Sequence, residues 1–285
     1  MPSRFDTDTA VTPLGDGVYD ARIDAGWWIE RGPNGGYIAA LLMQAFMAEV
    51  SRASPRASER SDSVNNVGET DRHARSLTVH YLAPAVEGPA QLVVHTERAG
   101  RLVRYLSARL RQGDRLIATA QAAFAVMNDV GPTFADPSFP EYPHPDAIDH
   151  TGDPPGLVPM RERYEYRHIT GAPWDGPATT AETGGWIRLT EPRPYDAAVI
   201  AALSDAWYPA IFTRLTDRFG VPTVDLTVHL RSVRALERLA PDDWVAARFR
   251  TTVATEGFLE EDGQLWSPDG TLLAHSRQLG LLLTG

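Results

Sequence analysis

The sequence predicts an α+β fold used twice, in which two repeats each wrap a curved antiparallel β-sheet around one long helix. Three observations predict it. The string Ile38-Ala39-Ala40-Leu41 returns as Ile200-Ala201-Ala202-Leu203, so one helical element is present in two copies. Both strings lie in runs that are apolar nearly all round, and such a helix must be enclosed rather than laid on a surface. Each run is followed, in the same order, by segments with the period-2 alternation of strands. Val79-His80-Tyr81-Leu82 matches Val228-His229-Leu230-Arg231, and Leu116-Ile117-Ala118 matches Leu272-Leu273-Ala274. Two long copies are too few for a stacked repeat array.

The elements follow from local chemistry. Asn34-Gly35-Gly36 precedes the apolar run Tyr37–Val50, and Asn is a good helix N-cap. Residues 51–75 are polar and serine-rich and are expected to form a surface loop. Strands are expected at Ser76–Leu82, Ala90–Arg98, Leu102–Gln112 and Arg115–Met127, with Gln112-Gly113-Asp114-Arg115 as a hairpin turn. Residues 128–160 carry eight prolines, from Pro132 to Pro159, and predict a linker. The second repeat is expected to open on the short strand Gly185–Leu189. A second long helix then runs from Tyr195 to about Leu215, kinked at Pro209. Strands follow at Thr223–Arg231, Trp244–Thr255, Gly257–Trp266 and Thr271–Leu283, with Ser267-Pro268-Asp269-Gly270 as the matching turn. The domain boundaries are therefore 1–127, 128–160 and 161–285. A long helix followed by a curved antiparallel sheet is the hotdog plan, and two of them make a double hotdog.

Composition narrows the chemistry. The 285 residues, 43% hydrophobic and 22% charged, fit a globular protein of one large or two ordinary domains. With no cysteine there is no disulfide, thiolate nucleophile or thiolate-ligated metal. The net charge of −10 argues against nucleic acid as a partner. No run approaches the roughly 18 apolar residues of a membrane span, so no membrane partner is expected. The acidic N-terminal stretch does not resemble a signal peptide, and the expected compartment is the cytoplasm. All 27 basic residues are arginine, which excludes a Schiff-base lysine and leaves Arg or backbone N–H for any phosphate. HExxH, Gly-x-Ser-x-Gly and P-loop patterns are absent. His80 and His229 occupy matching strand positions and read as a repeated structural histidine rather than a metal pair. Neither a metal nor a cofactor is implied.

One residue interrupts the apolar logic. Asp205 is the only charged residue between Ala197 and Thr213, and it stands where the first copy has Met43. Burial raises a carboxylate's pKa, and a carboxylate titrating near neutrality can act as a base toward water. The complementary feature is Asn34-Gly35-Gly36, a helix N-terminus with unpaired N–H groups that could receive an oxyanion. The first helix has the glycines without the acid, and the second has the acid but begins Tyr195-Asp196. One composite site built across both copies explains this division.

The motifs together resemble a known family. They are Trp28-Ile29-x-x-Gly32-Pro33-Asn34-Gly35-Gly36-Tyr37-Ile38-Ala39-Ala40, His80-Tyr81-Leu82-Ala83-Pro84, Ser204-Asp205 and Arg277-Gln278-x-Gly280. In order and spacing they resemble TesB-type acyl-CoA thioesterases (acyl-CoA thioesterase II), in particular an actinobacterial thioesterase-like subgroup, over nearly the whole chain. The resemblance implies hydrolysis of fatty acyl-CoA by a water held by an Asp, a Thr and a Gln. It places these at Asp205, Thr223 and Gln278, with Thr227 as the alternative threonine. Thr223, Asp225 and Thr227 alternate onto one polar face of their strand, so Thr223 would reach an inward site only from the strand end. In the first copy Gln278 aligns with Ala122 and Thr223 with Ala74. Trp27, Trp28, Trp207 and Tyr208 are candidate walls of an acyl tunnel, arginines would meet the CoA phosphates, and a homodimer is expected. The competing readings are a non-hydrolytic protein that binds acyl-CoA or an acyl carrier, and a hotdog enoyl-CoA hydratase or dehydratase. The Asp-x-Asn-Pro-x-His segment that hydratases carry is absent.

Overall fold

The protein is described by a computed structural model for residues 2–52, 72–127, 130–148, 158–172, 174–215 and 219–284. The first half comprises α1 (Arg4–Asp8), β1 (Thr12–Gly15), β2 (Val18–Ile23), α2 (Gly35–Arg52), β3 (Arg72–Tyr81), β4 (Gly88–Ala99), β5 (Val103–Gln112) and β6 (Arg115–Val126). The second comprises β7 (Tyr164–Thr170), β8 (Ala181–Leu189), α3 (Ala197–Leu203), β9 (Phe219–Gly220), β10 (Thr223–Leu230) and α4 (Val233–Arg238). It continues with β11 (Val245–Thr251), β12 (Ala254–Thr255), β13 (Phe258–Trp266), β14 (Leu272–Leu281) and β15 (Leu283–Thr284).

Thirteen of the strands form one sheet. Its order is β1-β2-β4-β5-β6-β3-β10-β14-β13-β11-β8-β7, with β12 beside β13. Read inward from either outer edge, the two halves have the same order, and β3 meets β10 at the centre. The registers correspond residue for residue. Leu77 faces Ala122 as Leu226 faces Gln278, and Ala74 faces Phe124 as Thr223 faces Gly280, with a register shift after each. The alignment of Gln278 with Ala122 and of Thr223 with Ala74 is therefore also the alignment of the sheet.

α2 forms because its residues favour nothing else. Asn34 caps it, its Oδ1 accepting from the Tyr37 N–H at 3.1 Å, and Ala39 to Met43 are strong helix formers without exposed surface. The inward faces of the strands of its own half close around it with Leu77, Val79, Leu92, Leu106, Leu110 and Phe124, and Leu226, Val228 and Phe249 from the other half join the same buried cluster. These side chains belong to one core cluster that crosses the centre of the sheet.

The second helix is much shorter than expected. α3 ends at Leu203, and a 3-10 turn at Ala210–Thr213 replaces the rest of the predicted helix from Tyr195 to Leu215. Pro209 supplies no N–H and disfavours helical backbone at Tyr208. The Ser204 hydroxyl also bonds back to the Ile200 carbonyl at 2.8 Å, an alternative to continuing the ladder. The early stop leaves Asp205 just beyond the helix end.

Two other expectations change. The polar segment 51–75 is helical to Arg52 and a strand from Arg72, and its remainder, 53–71, lies outside the described residues. The proline-rich stretch does more than link. Phe139 and Tyr142 pack on the outer face of the second half, against Trp186 and Trp266. The Trp186 indole donates to the Pro143 carbonyl at 2.8 Å.

Candidate active site

The site lies where the N-terminus of α2 meets the end of α3. Asp205 Oδ2 accepts from the Gly36 N–H at 2.8 Å and from Asn34 Nδ2 at 3.0 Å. Asn34 Nδ2 also donates to the Asp205 carbonyl at 2.8 Å. Asn34 thus caps α2 with its oxygen and clamps Asp205 with its nitrogen. The two glycines are required by closeness. A Cβ on Gly36 would come within 2.5 Å of the Ala202 carbonyl oxygen, and one on Gly35 within 2.8 Å of Asp205 Oδ2.

This geometry corrects one expectation. The N–H of Gly36 and the amide of Asn34 do not wait for a substrate oxyanion; they already hold an internal anion. A helix N-terminus favours a carboxylate as readily as a substrate oxygen, and Asp205 occupies that place.

Burial pushes the Asp205 carboxyl up to about 6. The hydrogen bonds from Gly36, Asn34 and Gln278 and the Gly35 N–H pull the other way without cancelling it. Near neutral pH Asp205 therefore passes between acid and base, which suits proton transfer.

The three residues that the resemblance assigned to a water converge. Gln278 is buried on β14 and accepts from the Thr223 hydroxyl at 3.0 Å. Thr223 reaches the inner face through a bulge in β10. Thr223 pairs with Gly280 and Asp225 with Leu279, so Val224 has no opposite residue of its own. The extra residue moves Thr223 off the face of Asp225 and Thr227 and onto that of Leu226 and Val228. Thr227 stays on the other face, 3.0 Å from the Thr78 hydroxyl across the centre of the sheet.

Two site residues escaped the sequence reading. Gln278 Nε2 donates to Glu261 Oε1 at 2.7 Å, and Glu261 is only 3% exposed. Its carboxyl is pushed up to about 7 by burial, despite bonds from the Ala210 N–H and Gln278. The signal was the alternation of β13: Glu261 shares the inward parity of Leu259 and Leu265 and so is a carboxylate in an apolar register. Tyr81 was quoted in a motif without a role. Its hydroxyl donates to the Gly35 carbonyl at 2.8 Å, and burial holds its pKa well above the ordinary value.

In the first half the matching positions are Met43 for Asp205, Ala74 for Thr223, Ala122 for Gln278 and Leu106 for Glu261. None carries a polar side chain, so the polar set is built once. Two of the candidate tunnel residues belong to the packed interior. Trp27 stacks on Tyr37 with ring centroids 5.0 Å apart, and the Trp207 indole donates to the Thr183 hydroxyl at 2.7 Å. Among the described residues no group of His, Asp and Glu has the arrangement to hold a metal ion, and no helix is long and apolar enough to cross a membrane.

Comparison with known families decides the class. The family model described as "Acyl-CoA thioesterase C-terminal domain" matches residues 138–282, and that described as "Acyl-CoA thioesterase N-terminal domain" matches 24–125. The chain belongs to the acyl-CoA thioesterase family. It is a thioester hydrolase by family, of the TesB type that its motifs resemble. Among solved structures, this thioesterase is similar to a conserved protein of unknown function with a hot dog fold from Alicyclobacillus acidocaldarius. The two share 25% identity with a TM-score of 0.86, over 100% of both chains. It is similar to a putative thioesterase II from Thermobifida fusca, with 27% identity and a TM-score of 0.79 over 98% of this chain and 97% of that one. An acyl-CoA thioesterase II TesB2 from Mycobacterium marinum shares the fold at 19% identity and a TM-score of 0.74, over 99% and 98% of the two chains. No curated protein sequence matches the thioesterase significantly.

Proposed function

We propose that the protein hydrolyses fatty acyl-CoA to the free acid and CoA, with Asp205, Gln278 and Thr223 holding the attacking water. The observation that carries this reading is the meeting of Thr223 and Gln278 at Asp205, whose carboxyl burial pushes up to about 6. The hydrogen-bond directions define the water. Thr223 donates its only proton to Gln278 and so can only accept from the water. Gln278 gives one amide proton to Glu261 and turns the second toward Asp205, and we place the water between those two side chains, where it takes that proton. With Oδ2 of Asp205 engaged by Gly36 and Asn34, Oδ1 accepts the water's other proton. The remaining lone pair of the water is the nucleophile.

Attack forms the carbon–oxygen bond as Asp205 takes the proton. The thioester oxygen becomes an oxyanion, for which we assign the Gly35 N–H, the weakest of the contacts that Asp205 receives from the α2 terminus. The carbon–sulfur bond then breaks, and the CoA thiolate recovers the proton from Asp205. We further propose that the sheet comprises two hotdog repeats, residues 1–127 and 161–285 joined by 128–160. The repeated strand order supports that division. Two chains would associate as a homodimer, which sedimentation would reveal as twice the chain mass.

Thiol release from short-, medium- and long-chain acyl-CoAs tests the reading. The expected result is release that falls at least about a hundredfold in Asp205→Asn, with unchanged circular dichroism. Near-normal turnover in that variant would remove Asp205 from the mechanism. Acyl-CoA bound and uncleaved by the parent protein would favour the non-hydrolytic reading.

A further inference from the structure

Glu261 is a second carboxylate of the site, and the hydrolytic steps above give it no role. It is buried, and each of its oxygens is used. One accepts from Gln278 Nε2 at 2.7 Å, and the other from the backbone N–H of Ala210, just after Pro209. An isolated buried carboxylate costs more than an apolar residue at the same place, and the matching position in the first half is Leu106. The fold therefore has an apolar solution for this site and does not use it here.

The chain of donors has one fixed end. A backbone N–H cannot reverse, whereas a glutamine amide and a threonine hydroxyl can. Ala210 donates to Glu261, and a carboxylate only accepts, so Gln278 must turn its Nε2 toward it. Gln278 Oε1 must then face Thr223 and receive its proton. The second Gln278 proton then points to the side of Asp205, where the water would sit, and the Thr223 lone pair can accept from that water.

We propose that Glu261 is a positioning residue for hydrolysis: held by the Ala210 N–H, it sets which way the Gln278 amide and the Thr223 hydroxyl point. This inference rests on the hydrolytic reading of the site. It gives the isosteric variant Glu261→Gln a definite consequence. The fixed Ala210 N–H takes the new residue's oxygen, so its NH2 faces Gln278. Gln278 then inverts, Thr223 becomes the acceptor of Gln278, and the donor pattern around the water reverses.

Protonation of Glu261 acts in the same sense, because a carboxylic acid O–H toward Gln278 also calls for Oε1. The carboxyl groups near Glu261 are Asp205 from beyond α3 and Glu260, which points to the opposite face of the same strand, and both raise its pKa. The neutral Gln278 faces it from β14, and the Ala210 turn contributes only its N–H. Asp205 must also be anionic to act as the base. Two protonations therefore silence the site as pH falls, belonging to the pair jointly rather than to either carboxyl alone.

The test is steady-state thiol release by the full chain from one acyl-CoA that the parent cleaves, across about pH 5 to 9, for the parent and Glu261→Gln. In the variant kcat falls about tenfold or more while KM stays within about twofold, since substrate contacts are unchanged. In the parent, log kcat falls below about pH 7 more steeply than a slope of one over part of the range, because two protonations contribute; in the variant the slope is about one. A folded Glu261→Gln with parental kcat, or a parental slope of one, overturns the inference. If the variant does not fold, the parental slope alone decides. Normal release by both proteins defeats this inference and leaves the hydrolytic reading standing. No release by the parent defeats both.

Discussion

Asp205 shows how function and stability oppose each other at one residue. Its carboxyl is raised from 3.8 to about 6, so the folded protein binds this proton more tightly than the unfolded chain. Such a group stabilises the fold below the unfolded pKa, and the contribution is lost as pH rises through the folded value. Above about pH 7 the native protein bears the full cost of the anion. Asparagine at 205 can still accept from Gly36 and Asn34 through one oxygen without that cost. Asp205→Asn should accordingly be more stable than the parent at pH 8, by on the order of 2 kcal/mol, while losing turnover. The difference should vanish near pH 4. Thermal melts of both proteins at the two pH values check this, and equal melting temperatures at pH 8 would contradict the assigned burial cost. The sequence showed Asp205 as the lone charge in an apolar run, which is why it was legible. Glu261 was hidden in the acidic run Glu260-Glu261-Asp262, where only the parity of the strand separates the inward carboxylate from its outward neighbours.

At the scale of elements, a single unpaired residue decides which threonine belongs to the site. Simple alternation puts Thr223 and Thr227 on the same face, and the bulge at Val224 separates them. Thr223→Ala should lower kcat by about tenfold or more, in the range of a lost group that positions the reacting water. Thr227→Ala removes only the contact with Thr78, and its kcat should stay within about twofold of the parent. Kinetics of the two variants side by side distinguish them, and equal losses would contradict the facing deduced from the bulge. The shortened α3 is a second decision at this scale. Periodicity carried the helix through to Leu215 because Ala210, Ile211 and Phe212 continue its apolar pattern. Pro209 and the Ser204 back-bond end it early, so the Asp205 carboxylate can meet the α2 terminus.

For the whole molecule, the decisive contact is the pairing of β3 with β10, which joins the strands of the two halves of the chain into one sheet. The core is continuous across it, and α2 packs directly on α3. The Asp205 carboxylate comes from the second half of the chain and the N–H that holds it from the first. Separate unfolding of either half would expose the core of the other. Thermal unfolding should therefore be one cooperative transition, with circular dichroism and tryptophan fluorescence coincident. Two resolved transitions would show that the repeats are energetically independent.

By itself the sequence determined the doubling of the fold, the apolar helix α2, most strand positions, and the identities of Asp205, Thr223 and Gln278 as candidates. The fold elements and Asp205 are legible because they depend on local pattern (side-chain period, capping residues, turn residues and a carboxylate out of place), whereas Thr223 and Gln278 became candidates only through the family resemblance. The tertiary structure alone decided that the Gly36 N–H and the Asn34 amide hold Asp205, that Thr223 turns inward, and that Glu261 joins Gln278. Each depends on which donor meets which acceptor across elements far apart in the chain. Such pairings are set by strand register and helix contact, and no local preference of a residue contains them.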